Sequence, residues 1–190
     1  GAGPGAVLAG WVALDAPTGH EQHATGPLLE TLPGWTRDRS GNLIRTIGTG
    51  RPHRVVACAL DAHAFVVSAI TPRGYLRLHR IGRRAPHPLW DQAHQGQQLR
   101  ILTRSGPVLG VSAVENGHFA EQHVHETRVV TADDLWLDVG ADDPEEVRAL
   151  GISLLDPVVR HLPPWSYGNE VAGPSAGARV GCAATVAAAQ

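Results

Sequence analysis

The side chains of this sequence that could do chemistry are scattered, and few have the spacing of a known kind of site. His123 and His125 form a His-x-His pair, which on a strand would direct both imidazoles to one face and suit a metal ion. His63, two residues after Asp61, is a second weak candidate for a metal ligand. The sequence holds 11 histidines, so such neighbours also arise by accident. We therefore expect surface histidines at both places.

The other reactive residue types have simpler interpretations. Ser175 lies near Gly173 and Gly177, but no Gly-x-Ser-x-Gly motif surrounds it, so we interpret it as a loop serine. Cys58 is predicted to be an inert, packed thiol inside a buried strand. Acidic pairs are interpreted as caps and solvated faces, and isolated tryptophans as core or interface anchors. These residues are Asp133, Asp134, Asp142, Asp143, Glu145, Glu146, Trp90, Trp136 and Trp165.

The first part of the chain contains elements that could position a site. The motif Thr18-Gly19-His20-Glu21 matches a capping box, so a helix should begin near Gly19. Pro27 should break or kink that helix near Gly26, because proline inside a helix costs about 3 kcal/mol. The turn Ser40-Gly41-Asn42 between two short segments predicts a β-hairpin. Arg54 to Leu60 is an apolar run typical of a strand buried on both faces, and α/β folds place their chemistry at the end of such a strand.

From Ala69 the pattern changes to short alternating strands separated by turns, which predicts a small β-barrel or sandwich. The predicted strands are Gly74–Ile81, Gln98–Thr103, Val108–Val114, Leu135–Val139 and Pro157–Leu162. A short helix should follow Asp143 as N-cap, with Pro144 at its first position and Gly151 at its end. After Pro163-Pro164 the Ala-rich helical pattern returns. The predicted fold class is α/β, with an α/β layer in residues 1–68 and 163–190 interrupted by a β domain in residues 69–162.

The composition excludes several classes of function. A chain of 190 residues with 43% hydrophobic content can bury a core. Its 16 basic and 18 acidic residues give a net charge of −2, so no field draws it to nucleic acid or an anionic membrane, and we predict neither as a partner. Two cysteines are too few for a secreted disulfide framework, so we predict a cytoplasmic protein. The N-terminal segment matches no signal peptide or membrane span.

A series of short motifs runs colinearly along the chain. They are Ala16-Pro17-Thr18-Gly19-His20-Glu21, Ser40-Gly41-Asn42-Leu43, Leu60-Asp61 with Phe65-Val66-Val67, Gly74-Tyr75-Leu76, Ile81-Gly82, Gly106-Pro107-Val108-Leu109-Gly110-Val111, Leu137-Asp138-Val139-Gly140-Ala141, Gly151-Ile152 with Asp156-Pro157-Val158, and Arg179-Val180-Gly181. In this order they resemble the first half of the glutamyl aminopeptidase family, the TET-type, endoglucanase-M-like dinuclear metallo-aminopeptidases. That resemblance implies a peptidase-like α/β domain interrupted by a small β-barrel domain used in assembly.

The same resemblance shows where this sequence departs from the family. The family's buried strand ends in His-x-Asp-Glu, where the histidine binds a metal ion and the aspartate orients it, but here the run is Ala59-Leu60-Asp61-Ala62. Only Asp61 survives. The family's second motif, Asp-Asp/Asn-Arg-x-Gly, begins with the aspartate that bridges both ions, and here it reads Gly177-Ala178-Arg179-Val180-Gly181. The remaining family residues, a glutamate base, an acidic ligand and a histidine, belong to the family's second half.

Three functions follow from the resemblance. The first is a catalytically inactive member of the metallo-aminopeptidase family, a pseudo-enzyme with an assembly or structural role, without a cofactor and forming homo-oligomers. The second is a part of an active aminopeptidase that uses two zinc or cobalt ions to remove N-terminal residues from a peptide substrate. In the third, the β insertion is the working part, an assembly or peptide-binding module with exposed apolar surface or a free strand edge.

Overall fold

A computed structural model describes residues 3–82, 87 and 89–190. The helices are α1 (Pro4–Val12), α2 (Gln22–Thr31), α3 (Leu89–Gln92), α4 (Gly117–Gln122), α5 (Pro144–Ala149) and α6 (Ala176–Ala188), with a 3-10 turn at Ala132–Asp134. The strands are β1 (Thr36–Arg37), β2 (Leu43–Ile44), β3 (Ala64–Ile70), β4 (Leu76–Ile81), β5 (Gln98–Thr103), β6 (Gly106–Ser112), β7 (Trp136–Asp138), β8 (Pro157–Arg160), β9 (Trp165–Tyr167) and β10 (Glu170–Ala172). They fall into two compact units, Gly1–Ala62 with Leu162–Gln190, and His63–His161.

The first unit contains α1, α2, α6 and two short hairpins. Strands β1 and β2 pair antiparallel with Thr36 opposite Ile44, so the predicted hairpin is present, although each strand has only two residues. Strands β9 and β10 form a second antiparallel pair that the sequence did not suggest. Helix α6 occupies most of the Ala-rich segment and packs against α1. Across the described ranges, every helix falls short of the length and apolar character that a bilayer crossing requires.

Helix α2 differs from the prediction at its start. It begins at Gln22 instead of the predicted glycine, because the Thr18 hydroxyl does not accept a bond from the helix amides and instead donates to Asp61 and to the Ala62 carbonyl. Pro27 lies inside the helix without ending it.

The segment from Arg54 to Leu60 is not the buried strand that its apolar side chains predict. Residues 53–61 form neither helix nor strand, and Val55 and Val56 are 88% and 76% exposed. A strand needs neighbours for its backbone donors and acceptors, and here the chain makes only an isolated parallel bridge, between Pro17 and Ala62. The prediction from apolar content was wrong because no other strand of the described chain lies beside this run.

The second unit is a closed six-stranded barrel in the order β3-β4-β7-β6-β5-β8. All neighbouring strands are antiparallel, and β3 closes the barrel against β8 with Phe65 opposite Val158. Its interior is filled by a continuous apolar cluster. The members buried to 2% exposure or less are Phe65, Val67, Leu76, Leu78, Leu99, Ile101, Leu135, Leu137, Val147, Ile152 and Val158. The predicted α/β class with an inserted small β-barrel is therefore confirmed.

The sequence predicted most of the barrel but assigned its first strand to the other unit. The five predicted strands correspond to β4 through β8, with ends shifted by about two residues or less. Strand β3 begins at Ala64, so the units divide after Ala62 and not at the predicted residue 68. Its four consecutive buried residues, 64–67, lack the alternation that marks a half-buried strand. Helix α5 matches its prediction, since the Asp143 carboxylate accepts bonds from the amides of Glu145 and Glu146.

An aromatic and polar group packs into one side of the barrel unit. His94 is 2% exposed, and its Nδ1 donates to the Trp90 carbonyl over 2.8 Å. The Phe65 ring lies 5.2 Å from the ring of Trp90 and 5.0 Å from that of His94, between centroids. Asp91, 1% exposed, accepts hydrogen bonds from Arg80 and from a backbone amide. Trp90 is thus the core anchor that the sequence predicted.

Candidate functional site

The candidate site is in the first unit, where the chain around Asp61 meets the chain around Thr18. The Ala62 amide donates to the Ala16 carbonyl over 2.8 Å, and the Thr18 amide donates to the Ala62 carbonyl over 3.1 Å. These bonds place the Thr18 hydroxyl 3.1 Å from Asp61 Oδ2, to which it donates. The backbone bridge therefore positions a carboxylate at the place where the resemblance predicts the aspartate that orients a metal ligand.

Arg179 of helix α6 connects the same place to the rest of the unit. Although its side chain carries a charge, the residue is only 1% exposed. Its guanidinium donates to the carbonyls of Leu60 and Leu14, and Nε is buried without a hydrogen-bond partner in the described chain. Burial lowers the pKa of Arg179, while the negative charges of Asp61 and Asp15 oppose that shift. Arg179 is thus a buried cation that fixes α6 to the residues before Asp61.

The two positions at which the resemblance predicts metal ligands carry no donor. Ala59 is exposed, and an ideal Cβ built on Gly177 meets no atom within 4 Å, so neither position is crowded. Methyl and hydrogen side chains have no lone pair to offer a metal ion, and the Asp61 carboxylate accepts from Thr18. In residues 3–82, 87 and 89–190 no three His, Cys, Asp or Glu side chains are grouped as metal ligands. The donor set that is present does not fit a dinuclear metal centre.

The histidine candidates do not assemble a site either. His123 ends helix α4 instead of lying on a strand, so the one-face geometry predicted for His123 and His125 does not arise. The His123 ring stacks on Phe119 with centroids 3.9 Å apart, and its Nδ1 lies 2.7 Å from the Phe119 carbonyl. His63 is an exposed residue of the barrel unit, edge-on to Trp90 at 5.9 Å. Both observations agree with the interpretation of these histidines as ordinary surface residues.

The remaining candidates are structural. Ser175 precedes α6 with a left-handed φ of 57° and makes no side-chain cap. Asp134 accepts from the amide and hydroxyl of Thr131, and this bonding to Thr131 lowers the pKa of Asp134. Trp136 is 42% exposed beneath the Arg77 guanidinium, which lies 4.1 Å from its ring centroid, and Trp165 is 48% exposed on β9. The interpretation of the acidic pair as a cap is confirmed, and neither of these two tryptophans is a core residue.

Sequence reasoning missed the covalent link at this site. Cys58 and Cys182 form a disulfide across a sequence separation of 124, with their Cα atoms 5.3 Å apart. The prediction of a packed, inert thiol at Cys58 was wrong, because Cys58 lies on the exposed segment and not within a strand. One signal was available. Cys58 directly precedes Ala59, and Cys182 directly follows the motif that ends at Gly181, so the resemblance places both cysteines beside the two degenerate motifs.

Comparison with known proteins agrees with this geometry. Residues 41–190 match the M42 glutamyl aminopeptidase family. SgcX of Escherichia coli (strain K12), which is named as a candidate aminopeptidase, is 29% identical over 90% of this chain and 46% of its own length. The chain spans about half the length of the curated relatives it matches.

Solved structures share the fold. A TET aminopeptidase from the marine sediment archaeon Thaumarchaeota archaeon SCGC AB-539-E09 has a TM-score of 0.83 at 24% identity, covering 97% of this chain and 52% of that one. The Pyrococcus horikoshii TET1 peptidase has a TM-score of 0.83 at 22% identity, covering 96% of this chain and 54% of that one. Because the family model matches residues 41–190, which are most of its length, the chain belongs to the M42 glutamyl aminopeptidase family.

Proposed function

We propose that this chain is a non-catalytic member of its family, in which the scaffold of the metal site is kept and the metal-binding side chains are lost. The observation that carries the proposal is the contrast between Asp61 and Arg179, which are held in place by hydrogen bonds, and Ala59 and Gly177, which have no donor atoms. A carboxylate that orients a metal-binding histidine has no purpose in catalysis when that histidine is absent.

Loss of the bridging aspartate is the more serious of the two changes. Two divalent ions held about 3.5–4 Å apart repel each other, and an anion between them offsets that repulsion. Gly177 supplies none, and neither does its neighbour Ala178. Their positions at the start of α6 leave space, but space without a carboxylate gives no affinity. No cofactor is therefore part of this proposal.

A second candidate function is a part of an active zinc or cobalt aminopeptidase acting on peptides. The observation that favours it is the length of the relatives, about twice that of this chain, since residues outside 1–190 could supply further ligands. It would still need replacements for Ala59 and Gly177. Within the described residues, the structure shows no group of three His, Cys, Asp or Glu side chains that could take over that role.

The positive role that we propose is assembly, with the first unit as an incomplete peptidase-like domain and the barrel as the inserted domain. The barrel is closed, so its six described strands present no free edge for a peptide to extend. Leu109 and Val111, on one face of β6, are 51% and 48% exposed. The Pyrococcus horikoshii TET1 peptidase assembles into a tetrahedron or an octahedral shell. We propose a homo-oligomer that is cytoplasmic and binds neither nucleic acid nor a membrane.

Hydrolysis of amino-acid p-nitroanilides tests the absence of catalysis. The chain should show no turnover above background with or without added zinc or cobalt. The double variant Ala59→His with Gly177→Asp should also stay inactive, because groups that act as a unit gain little from partial repair. The open space at Gly177 and the exposure of Ala59 make both substitutions compatible with the fold. Turnover that a chelator abolishes and Asp61→Asn reduces would overturn the proposal.

A further inference from the structure

We infer that Cys58 and Cys182 form a reversible thiol–disulfide site that controls the attachment of the exposed segment 53–60 to helix α6. This inference concerns a covalent link between two elements and holds whether or not the chain is catalytic. Its reactants are the two thiols of this chain and a low-molecular-weight disulfide or dithiol.

The positions of the two cysteines suit a disulfide. Their Cα atoms are 5.3 Å apart, within the range that unstrained disulfides span. They lie beside the degenerate motifs, Cys58 next to Ala59 and Cys182 next to Gly181. The disulfide therefore joins segment 53–60 to helix α6. By resemblance to the family, a metal centre would join the same two elements, but the disulfide needs no donor at Ala59 or Gly177.

The two sulfur atoms differ in access. Cys58 is exposed, whereas Cys182, in the middle of α6, is 1% exposed. Cys58 is consequently the thiol that meets a reagent from solution first, and Cys182 is the thiol that resolves the mixed disulfide. In the disulfide-bonded structure the Ala59 carbonyl oxygen also lies 3.5 Å from the Cys182 sulfur, so Ala59 is held close to α6.

Segment 53–60 has few other attachments. Its residues 53–59 are exposed, and residues 53–61 belong to no helix or strand. The bonds that the structure shows at its end are those from Arg179 to the Leu60 carbonyl and the bridge at Ala62. Segments with little burial and few backbone hydrogen bonds open at low free-energy cost. Within residues 53–59 of the described segment, the disulfide is thus the only covalent cross-link to another element.

The reaction is a balanced exchange. The Cys58 thiolate attacks one sulfur of oxidised glutathione, forming a mixed disulfide and releasing one glutathione thiolate. The Cys182 thiolate then attacks the Cys58 sulfur, forming the Cys58–Cys182 bond and releasing the second glutathione thiolate. The protein loses two electrons and two protons in total, and oxidised glutathione gains them. A dithiol reverses both steps. In reducing compartments, disulfides of this kind are mostly transient and redox-sensing.

Limited proteolysis of the full chain tests the inference. The probe is trypsin, which can cut after Arg54 in the segment and after the exposed Arg39 in the hairpin between β1 and β2. After oxidation with glutathione disulfide, alkylation in urea should label neither cysteine, and the mass should show no attached glutathione. Addition of a reductant should then raise the rate of cleavage after Arg54 by roughly tenfold, while cleavage after Arg39 stays unchanged.

The variant Cys58→Ser with Cys182→Ser provides the matched control, since its cleavage after Arg54 should be fast and insensitive to reductant. Circular dichroism before digestion establishes that each form is folded, and the wild-type comparison with and without reductant needs no variant. Alkylation of both cysteines in urea after oxidation, or a mass that shows attached glutathione, would overturn the disulfide. A disulfide that forms while the Arg54 cleavage rate stays the same in both redox states would overturn its control of the segment.

Discussion

At the scale of single residues, the candidate site keeps its hydrogen bonds but lacks side chains that could bind a metal ion. Thr18, Asp61 and Arg179 keep the hydrogen bonds that hold the chain near the degenerate motifs. Of the three, Arg179 is a buried charge, which is costly unless it is hydrogen-bonded, so its contacts stabilise the fold independently of any metal. Removal of these contacts should lower the free energy of unfolding.

Substitution of Arg179 tests how much its hydrogen bonds stabilise the fold. Arg179→Met should lower the free energy of unfolding by about 2–4 kcal/mol, because the carbonyls of Leu60 and Leu14 lose their donor in a buried place. Arg179→Lys should recover little of the lost stability, because a single ammonium group cannot replace the planar set of donors of the guanidinium. Urea titration gives the values, with the exposed Arg39→Met as control. An Arg179→Met protein as stable as that control would contradict the role.

His94 gives the barrel unit a pH dependence. Burial lowers the pKa of His94, so the folded state keeps the ring neutral in a range where the unfolded chain, near pKa 6.5, binds a proton. The unfolded state therefore binds more protons below about pH 6.5, and stability should fall as the pH falls, by at most about 1.4 kcal/mol per pH unit from this group. Thermal unfolding between pH 7.5 and 5.5 measures this dependence of stability on pH. His94→Gln should flatten the profile, and an unchanged slope would contradict the assignment.

Positions of the candidate site could be singled out from the sequence, but the contacts of their side chains could not. The resemblance to the family identified Asp61, Ala59 and Gly177 before any coordinates. It did not suggest that the Thr18 hydroxyl would bond to Asp61, because a local capping box explained that threonine equally well. Contacts between residues more than forty positions apart depend on the fold and not on local spacing.

At the scale of elements, most local turn and cap signals gave the right element, apart from the capping box at Thr18, whereas the strand predicted from apolar content alone is absent. Helix α5 and the hairpin turn are encoded locally, by Asp143 with Pro144 and by Ser40-Gly41-Asn42, and both are present. The run from Arg54 to Leu60 has the composition of a central strand but no partner strand beside it in the described chain. Apolar content alone cannot show whether a neighbour is available.

Gly74 shows how tightly the turn between β3 and β4 is built. It has a φ of +76°, and a Cβ there would lie 2.1 Å from the Ala141 carbonyl oxygen, a backbone atom that cannot swing away. Gly74→Ala should therefore destabilise the barrel by about 3 kcal/mol or more. Gly117→Ala, at a position where a Cβ meets nothing within 4 Å, should change stability by less than about 0.5 kcal/mol. Equal unfolding midpoints for the two variants would contradict the close approach.

At the scale of the whole molecule, exposed apolar side chains occur in both units. Leu109 and Val111 lie on β6, and Val55 and Val56 lie on the segment before Asp61. Surfaces of this kind in a folded protein commonly mark contacts with another chain.

The chain should therefore associate in solution. Sedimentation equilibrium at micromolar concentration should give a mass of at least twice 20.1 kDa. The double variant Leu109→Asp with Val111→Asp should lower that mass, whereas Leu154→Asp, a substitution of another exposed leucine in the barrel unit, should not. A stable monomer for the unsubstituted chain would contradict the assembly role.

The measurement that tests the central claim most directly is the metal content of the purified chain. The protein is incubated with excess zinc or cobalt, separated from free ions by gel filtration, and analysed by atomic emission. Because Ala59 and Gly177 offer no donor, we expect well under one equivalent of metal per chain. Retention of about two equivalents per chain, the stoichiometry of a dinuclear centre, would contradict the account.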